Sequence, residues 1–230
     1  MRTAAILPVK RFAHAKQRLG ASVADALRRE LAAAMVADVL EALAQTDAIE
    51  RTIVVTREHA IAHAAHAHGA MLVEDEAESG QSAAASLGVR AARREGIERV
   101  LCIPGDCPTL DPAELGALLS PRAPARGQPH VVIVPDRHGT GTNGLLLTPT
   151  DAIAPSFGPH SCERHRALAL AAGVGATVAR LPSLLLDIDT GDDLDVLRAR
   201  LAAHPARATR TRAVLGQPER TNILSITSSA

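Results

Sequence analysis

The chain has 230 residues, 47% of them hydrophobic, with 25 Lys and Arg against 25 Asp and Glu for a formal net charge of 0; that is enough for one buried α/β core with a short appendage. Balanced charge, no Trp or Tyr, and only Phe12 and Phe157 as aromatic platforms argue against a nucleic-acid partner. No apolar run reaches the length of a membrane span and the first residues read as a strand, so a cytoplasmic chain without a membrane partner is expected.

Strand-like and helix-like stretches alternate along the chain. Residues 4–9 (AAILPV) read as a buried strand, followed by a basic loop and an Ala/Leu-rich helix over about 22–45. Residues 52–56 are a second strand, 57–68 a helix, 70–73 a short strand, and 82–95 a helix beyond a polar loop. Residues 99–104 (RVLCIP) form a fourth strand ending in Gly-Asp, Asp111 caps a helix to about 119, and 121–129, with three prolines, is a linker. Strands at 130–135 and 143–147 precede a helix at 161–172, a strand at 176–181 and a last helix at 192–203. This rhythm implies an α/β fold whose mostly parallel sheet is covered on both faces, with ligands beyond the carboxyl ends of the strands. Residues 1–203 read as a single domain. From His204 the rhythm dissolves into Arg, Thr, Ser and Pro, and 204–230 reads as a mobile C-terminal tail.

The residues with chemical potential fall in the loops after strands. Pro8, Val9 and Lys10, with Lys16 and Arg18, form a basic loop after the first strand that can wrap a triphosphate, or simply lie solvated. Asp106, in Gly-Asp-Cys-Pro at the tip of the fourth strand, is placed to hold Mg²⁺ between phosphates, since Asp111 already serves as the next helix cap. In Asp187-Ile188-Asp189, extended backbone would turn both carboxylates to one side, as a hard cation requires; for Asp189 a favourable interaction with the dipole of the following helix is equally open. Asp192 and Asp193 suit the first turn of the last helix and its dipole.

Two further loops are anion-binding candidates. In Asp136–Asn143 (DRHGTGTN), Gly139 and Gly141 would let backbone amides approach an anion, with Thr140, Thr142 and Asn143 nearby; a plain hairpin would look similar. In Phe157–His165 (FGPHSCERH), Gly158 and Ser161 could present amides and a hydroxyl to a carboxylate at a helix start, where an unliganded Ser cap is the alternative. His59, His63, His66 and His68 suggest a cluster, but only His59/His63 has i,i+4 spacing and no partner completes a zinc signature. Cys102, Cys107 and Cys162 are read as free thiols.

Taken together, PVKRFAHAKQRL, GQSAAASLG, IPGDCP, PDRHGTGTNGL, FGPHSCERH and LDIDTGDDL resemble the phosphoenolpyruvate/2-phospho-L-lactate guanylyltransferase family of coenzyme F-420 biosynthesis, in order from Ala4 to about Leu201. The resemblance implies a Rossmann-like three-layer sandwich of the nucleotide-diphospho-sugar-transferase type. It implies GMP transfer from GTP to the phosphate of phosphoenolpyruvate or 2-phospho-L-lactate, with release of pyrophosphate. The phosphorylated acid itself is not legible, though phosphoenolpyruvate is favoured, and the product would pass to a downstream transferase. By the resemblance Asp106, Asp187 and Asp189 hold Mg²⁺, and Lys16 and Asp106 are the catalytic pair. Pro8, Lys10, Lys16, Gly80, Ser82 and Asp106 bind the nucleotide, and Thr142, Gly158 and Ser161 bind the acid. Gly80-Gln81-Ser82 departs from the Asn that broader relatives carry in the nucleotide loop, and guanine is expected on backbone and apolar contacts. The alternatives are a cytidylyl- or molybdopterin-guanylyltransferase on the same fold, or a nucleotide-binding regulator without turnover.

Overall fold

Successive side chains of strand β1 (Thr3–Val9) belong to two different cores: Ala5, Leu7 and Val9 to one, Ala4 and Ile6 to the other. The same period-two division runs through β2 (Arg51–Thr56), β4 (Arg99–Cys102), β5 (His130–Pro135) and β6 (Thr142–Thr148), so the sheet is buried on both faces. The computed structural model describes residues 1–12, 19, 24–120 and 128–216. Helices α1 (Asp25–Ala44), α2 (Ala62–Ala67) and α4 (Pro112–Leu118) cover one face. Helices α3 (Gln81–Arg94) and α5 (Ser161–Ala171) cover the other, completing the expected three layers.

With β3 (Met71–Glu74) and β7 (Gly175–Val178), the sheet runs in the order β3-β2-β1-β4-β6-β5-β7. Strands β1, β2, β3 and β4 pair in parallel, and β5 pairs in parallel with β7. Strand β6 runs antiparallel between β4 and β5, with Cys102 opposite Leu145. This reversal positions the site: the first residues of β6, Thr142 and Asn143, come to the same edge of the sheet as the residues leaving β4. The hairpin alternative for 136–143 is therefore what forms.

Most expected elements lie within a few residues of their predicted limits. The helix at 57–68 divides into a 3-10 turn, His59–Ile61, and α2. The linker at 121–129 lies largely outside the described residues. The tail is the substantive correction. Residues 209–215 form helix α7 (Thr209–Leu215), packed with α6 (Gly191–Ala203) against α1. Ala208 and Val214 join Leu31, Met35, Leu194 and Leu197 in a third core. Helix α1 is thus apolar on two sides, one for the sheet and one for α6 and α7, as expected of a helix buried between layers. Residues 217–230 lie outside the described residues.

Candidate active site

The loops leaving β1, β2, β3 and β4 meet the β5–β6 turn and the start of α5 around a cleft of about 880 Å³. Of the sequence-predicted residues, Pro8, Lys10, Gly80, Asp106, Thr142, Gly158, Ser161, Asp187 and Asp189 all line it. Lys16 lies outside the described residues. Ser82 does not line the cleft, whereas its neighbour Gln81 does. The Ser82 hydroxyl instead accepts the Phe157 N–H at 2.8 Å, tying the start of α3 to the loop before α5.

On the β1–β3 side, Lys10 is joined by two cations that the sequence reading passed over. Arg11 pairs with Glu78 at 2.9 Å and Arg57 reaches the same carboxylate at 3.7 Å, all three lining the cleft. Arg11 extends the basic loop already recognised. Arg57 follows β2 with no motif of its own, so only the parallel packing of β2 beside β1 brings it there.

The carboxylate side is built by backbone pairing between two separate loops. Ile188 N–H donates to Asp106 O at 3.2 Å, and the Ile188 side chain is fully buried while Asp187 and Asp189 line the cleft. The alternation expected for Asp-Ile-Asp is therefore present. Asn143 Nδ2 donates to Asp187 Oδ1 at 3.2 Å and to Leu184 O at 2.9 Å, orienting that carboxylate from the start of β6. Burial raises the Asp187 carboxyl above its ordinary range, and the Asp106 charge raises it further, against the lowering effect of Asn143. A cation would relieve both causes. Among the described residues no three His, Cys, Asp or Glu side chains close into a metal group by themselves. Mg²⁺ asks for less, one or two carboxylates with waters and substrate phosphates, and the donor set fits that mode. Asp189 is not the cap of α6: Thr190 is, in a reciprocal capping box with Asp193.

The Gly-rich turn is corrected by the structure. Its amides already hold an anion, the chain's own Asp136, whose carboxylate accepts Thr140 N–H and Gly141 N–H at 3.0 Å each. A Cβ on Gly141 would meet Asp136 Oδ2 at 2.5 Å, so the clamp requires glycine there. At the start of α5, Ser161 N–H is taken by Gly158 O and Cys162 N–H by Thr140 O, so these amides are not free as expected. The Ser161 hydroxyl is different: it is buried, belongs to a residue that lines the cleft, and has no hydrogen-bond partner among the described residues. Gly158, at φ 111, adopts a backbone conformation that favours glycine, and its N–H is unused among the described residues.

Two residues missed from sequence build this loop. Arg164 donates to the carbonyls of Ser156, Phe157 and Pro159 and to Ser156 Oγ at 2.8–3.2 Å, gathering the acceptors of the loop behind the cleft. His165, fully buried, bridges Ser156 N–H and Thr142 Oγ1. Both sit in the recognised FGPHSCERH block, where helical spacing gives no sign of their long-range partners.

The sheet order with one reversed strand, and a carboxylate-bearing cleft at the strand ends, define an α/β fold of the nucleotide-diphospho-sugar-transferase-like kind. Solved structures agree on the fold. A putative nucleotide-diphospho-sugar transferase from Desulfovibrio desulfuricans superimposes with a TM-score of 0.72 at 16% identity, over 94% of each chain. A nucleotidyl transferase from Methanothermobacter gives 0.63 at 21% identity, over 88% of this chain and 98% of that one. Residues 3–218 match the family described as guanylyl transferase, CofC-like. A phosphoenolpyruvate guanylyltransferase of Conexibacter woesei is 50% identical over 222 residues, 96% of this chain and 99% of its own. One of Sphaerobacter thermophilus is 35% identical over 198 residues, 86% of this chain and 93% of its own. The chain belongs to the CofC-like guanylyl transferase family.

Proposed function

We propose that this chain transfers GMP from GTP to the phosphate of phosphoenolpyruvate, with Mg²⁺ held by Asp106 and Asp187 and assisted by Asp189. One observation carries the reading: Ser161, whose buried hydroxyl has no partner among the described residues, lines the same cleft as Asp106 and Asp187. That juxtaposition suits a small acid bearing an acceptor group at one end and a phosphate at the other. The relatives named for phosphoenolpyruvate support the choice of acid.

A phosphate oxygen of the acid attacks the α-phosphorus of GTP, and the bond to the bridging oxygen of the β-phosphate breaks, releasing pyrophosphate. A phosphate dianion is a competent nucleophile at neutral pH, so positioning and charge neutralisation are sufficient and no general base is needed. Lys10, Arg11 and Arg57 offset the triphosphate charge, with Lys16 assigned to the same work by family resemblance. Ser161 Oγ–H, Gly158 N–H and Thr142 orient the carboxylate of the acid. Mg²⁺, when bound, supplies the charge that draws the phosphates together. The labile product then passes to a downstream transferase in a cytoplasmic pathway, that of coenzyme F-420 by family resemblance. Among the described residues, no helix is long and apolar enough to cross a membrane.

Mass spectrometry of reactions containing GTP, Mg²⁺ and one acid each tests this, with the downstream transferase present to trap the product. Guanylylated product from phosphoenolpyruvate is expected. Product from 2-phospho-L-lactate or phosphoglycerate alone, or from CTP in preference to GTP, overturns it.

A further inference from the structure

His165 is fully buried, and its ring is held at both nitrogens. Nε2 lies 2.9 Å from Ser156 N, a backbone N–H that can only donate, so Nε2 must be the acceptor of that bond. The proton of a neutral ring is then on Nδ1, 3.1 Å from Thr142 Oγ1. Nδ1–H donates, and Thr142 Oγ1 accepts. Thr142 is buried, lines the cleft, and has no other side-chain hydrogen bond among the described residues. With one lone pair committed to His165, its hydroxyl proton remains to be given to a ligand. The ring itself is fixed edge-on against Phe157, with centroids 5.3 Å apart and planes at 76°. Phe157 is in turn anchored to Ser82 through its N–H.

We propose that His165 is a positioning residue for the acid: as the Nδ1–H tautomer it fixes Thr142 Oγ1 as an acceptor and leaves the Thr142 hydroxyl to donate into the cleft. The inference rests on the reading that the acid occupies this side of the cleft. It assigns a polarity the cleft would otherwise lack, because a threonine hydroxyl can equally accept or donate. Thr142 then presents an O–H donor, beside a Ser161 hydroxyl that can turn to match it, which favours a ligand group made only of acceptors, such as a carboxylate, over a purely donating amide nitrogen. Burial, with a smaller contribution from the neighbouring Arg164, pushes the His165 imidazolium down to about 4, so the ring stays in the neutral form this arrangement requires. The sequence position of His165, one turn into α5, carries none of this. Only the hairpin that delivers Thr142 and the loop that delivers Ser156 reveal it.

Substitutions can separate the two nitrogens. In His165→Gln the side-chain amide replaces Nε2 and keeps an acceptor for Ser156, but nothing donates to Thr142. In His165→Asn the amide N–H replaces Nδ1–H and keeps the donation to Thr142. Thr142→Val and His165→Gln should each raise KM for phosphoenolpyruvate roughly two- to twelvefold, the worth of one neutral hydrogen bond, with KM for GTP unmoved. His165→Asn should restore a near-normal KM for the acid. The double variant Thr142→Val/His165→Gln should be no worse than Thr142→Val alone, because both act on one contact. Additive losses, or an equal rise in KM for GTP, overturn the proposal. If Thr142→Val leaves KM for the acid unchanged, the acid site itself is misplaced and the inference falls with it. If Thr142→Val raises it and His165→Gln does not, the inference alone fails. Nitrogen-15 NMR of the imidazole in the unaltered protein decides independently of any variant's folding. A neutral Nδ1–H ring at pH 7 is expected, and an Nε2–H or doubly protonated ring overturns the assignment.

Discussion

Asp136 commits both carboxylate oxygens to its own chain, holding Thr140 N–H and Gly141 N–H. The turn is therefore a scaffold for Thr142, and Gly141→Ala should displace Asp136, since the added methyl would sit 2.5 Å from Oδ2. The expected result is a higher KM for the acid at unchanged KM for GTP, read by steady-state kinetics. Asp106→Asn and Asp189→Asn test the metal directly, each keeping the side-chain shape while losing the charge. Pyrophosphate release should fall more than about a hundredfold, beyond the roughly 10–100-fold typical of outer partners, with the circular dichroism spectrum unchanged. Asn143→Ala, which removes the support of Asp187 together with the bond to Leu184 O but no cleft carboxylate, should fall within that outer range. Near-normal turnover of Asp106→Asn at saturating Mg²⁺ would show the metal to be elsewhere.

Helix α7 is an element whose cap comes from another helix. Its own N-cap, Ala208, has no side-chain hydrogen bond and sits at φ 49. Asp38 of α1 supplies the missing acceptor, taking Arg210 N–H at 3.1 Å and Thr211 N–H at 2.8 Å while almost wholly buried. Arg210 also pairs with Glu41, and Arg207 with Asp111, the cap of α4. Truncation after Pro218 should leave activity and melting temperature unchanged. Truncation after Ala206 removes α7 and with it the burial of Ala208 and Val214 and the Asp38 bonds, which should cost several kcal/mol, given about 1.5–3 for burying one Val-sized side chain. Differential scanning calorimetry of the two truncations checks this. Equal melting temperatures would show that α7 contributes nothing.

Across the whole molecule, His165 couples the acceptor side to stability. Folded, it titrates at about 4, and its ordinary value is 6.5. Below pH 6.5 the unfolded chain binds a proton that the native ring refuses, so the native state loses ground as pH falls from about 6.5 to 4 and is unaffected above that window. The full shift is worth up to about 3 kcal/mol. The urea midpoint should therefore drop between pH 7 and pH 5 in the unaltered protein, and this part of the drop should vanish in His165→Gln. An identical pH slope in both proteins would place the effect in other groups.

The alternation of strands and helices was legible because apolar periodicity is local: β1, β5 and α5 appear within a few residues of the limits their own side chains imply. That Asp106, Asp187 and Asp189 line the cleft was legible because each follows a strand-like run, at the carboxyl edge of the sheet where such clefts form. Other features were decided only by tertiary contacts. Ala208 is a poor helix start until Asp38, 170 positions earlier in the chain, lies beside it, so 209–215 read as tail. The GTGTN glycines look like an anion cradle until Asp136 is seen to fill it. Arg57, Arg164 and His165 have ordinary sequence surroundings, and their roles come from partners that the reversed strand β6 and the packed loops deliver. A hydrogen bond between distant residues leaves no periodic trace in the sequence, whereas burial of a face does. That difference is why the fold and the family could be read from the chain, and why the polarity of the acceptor side could not.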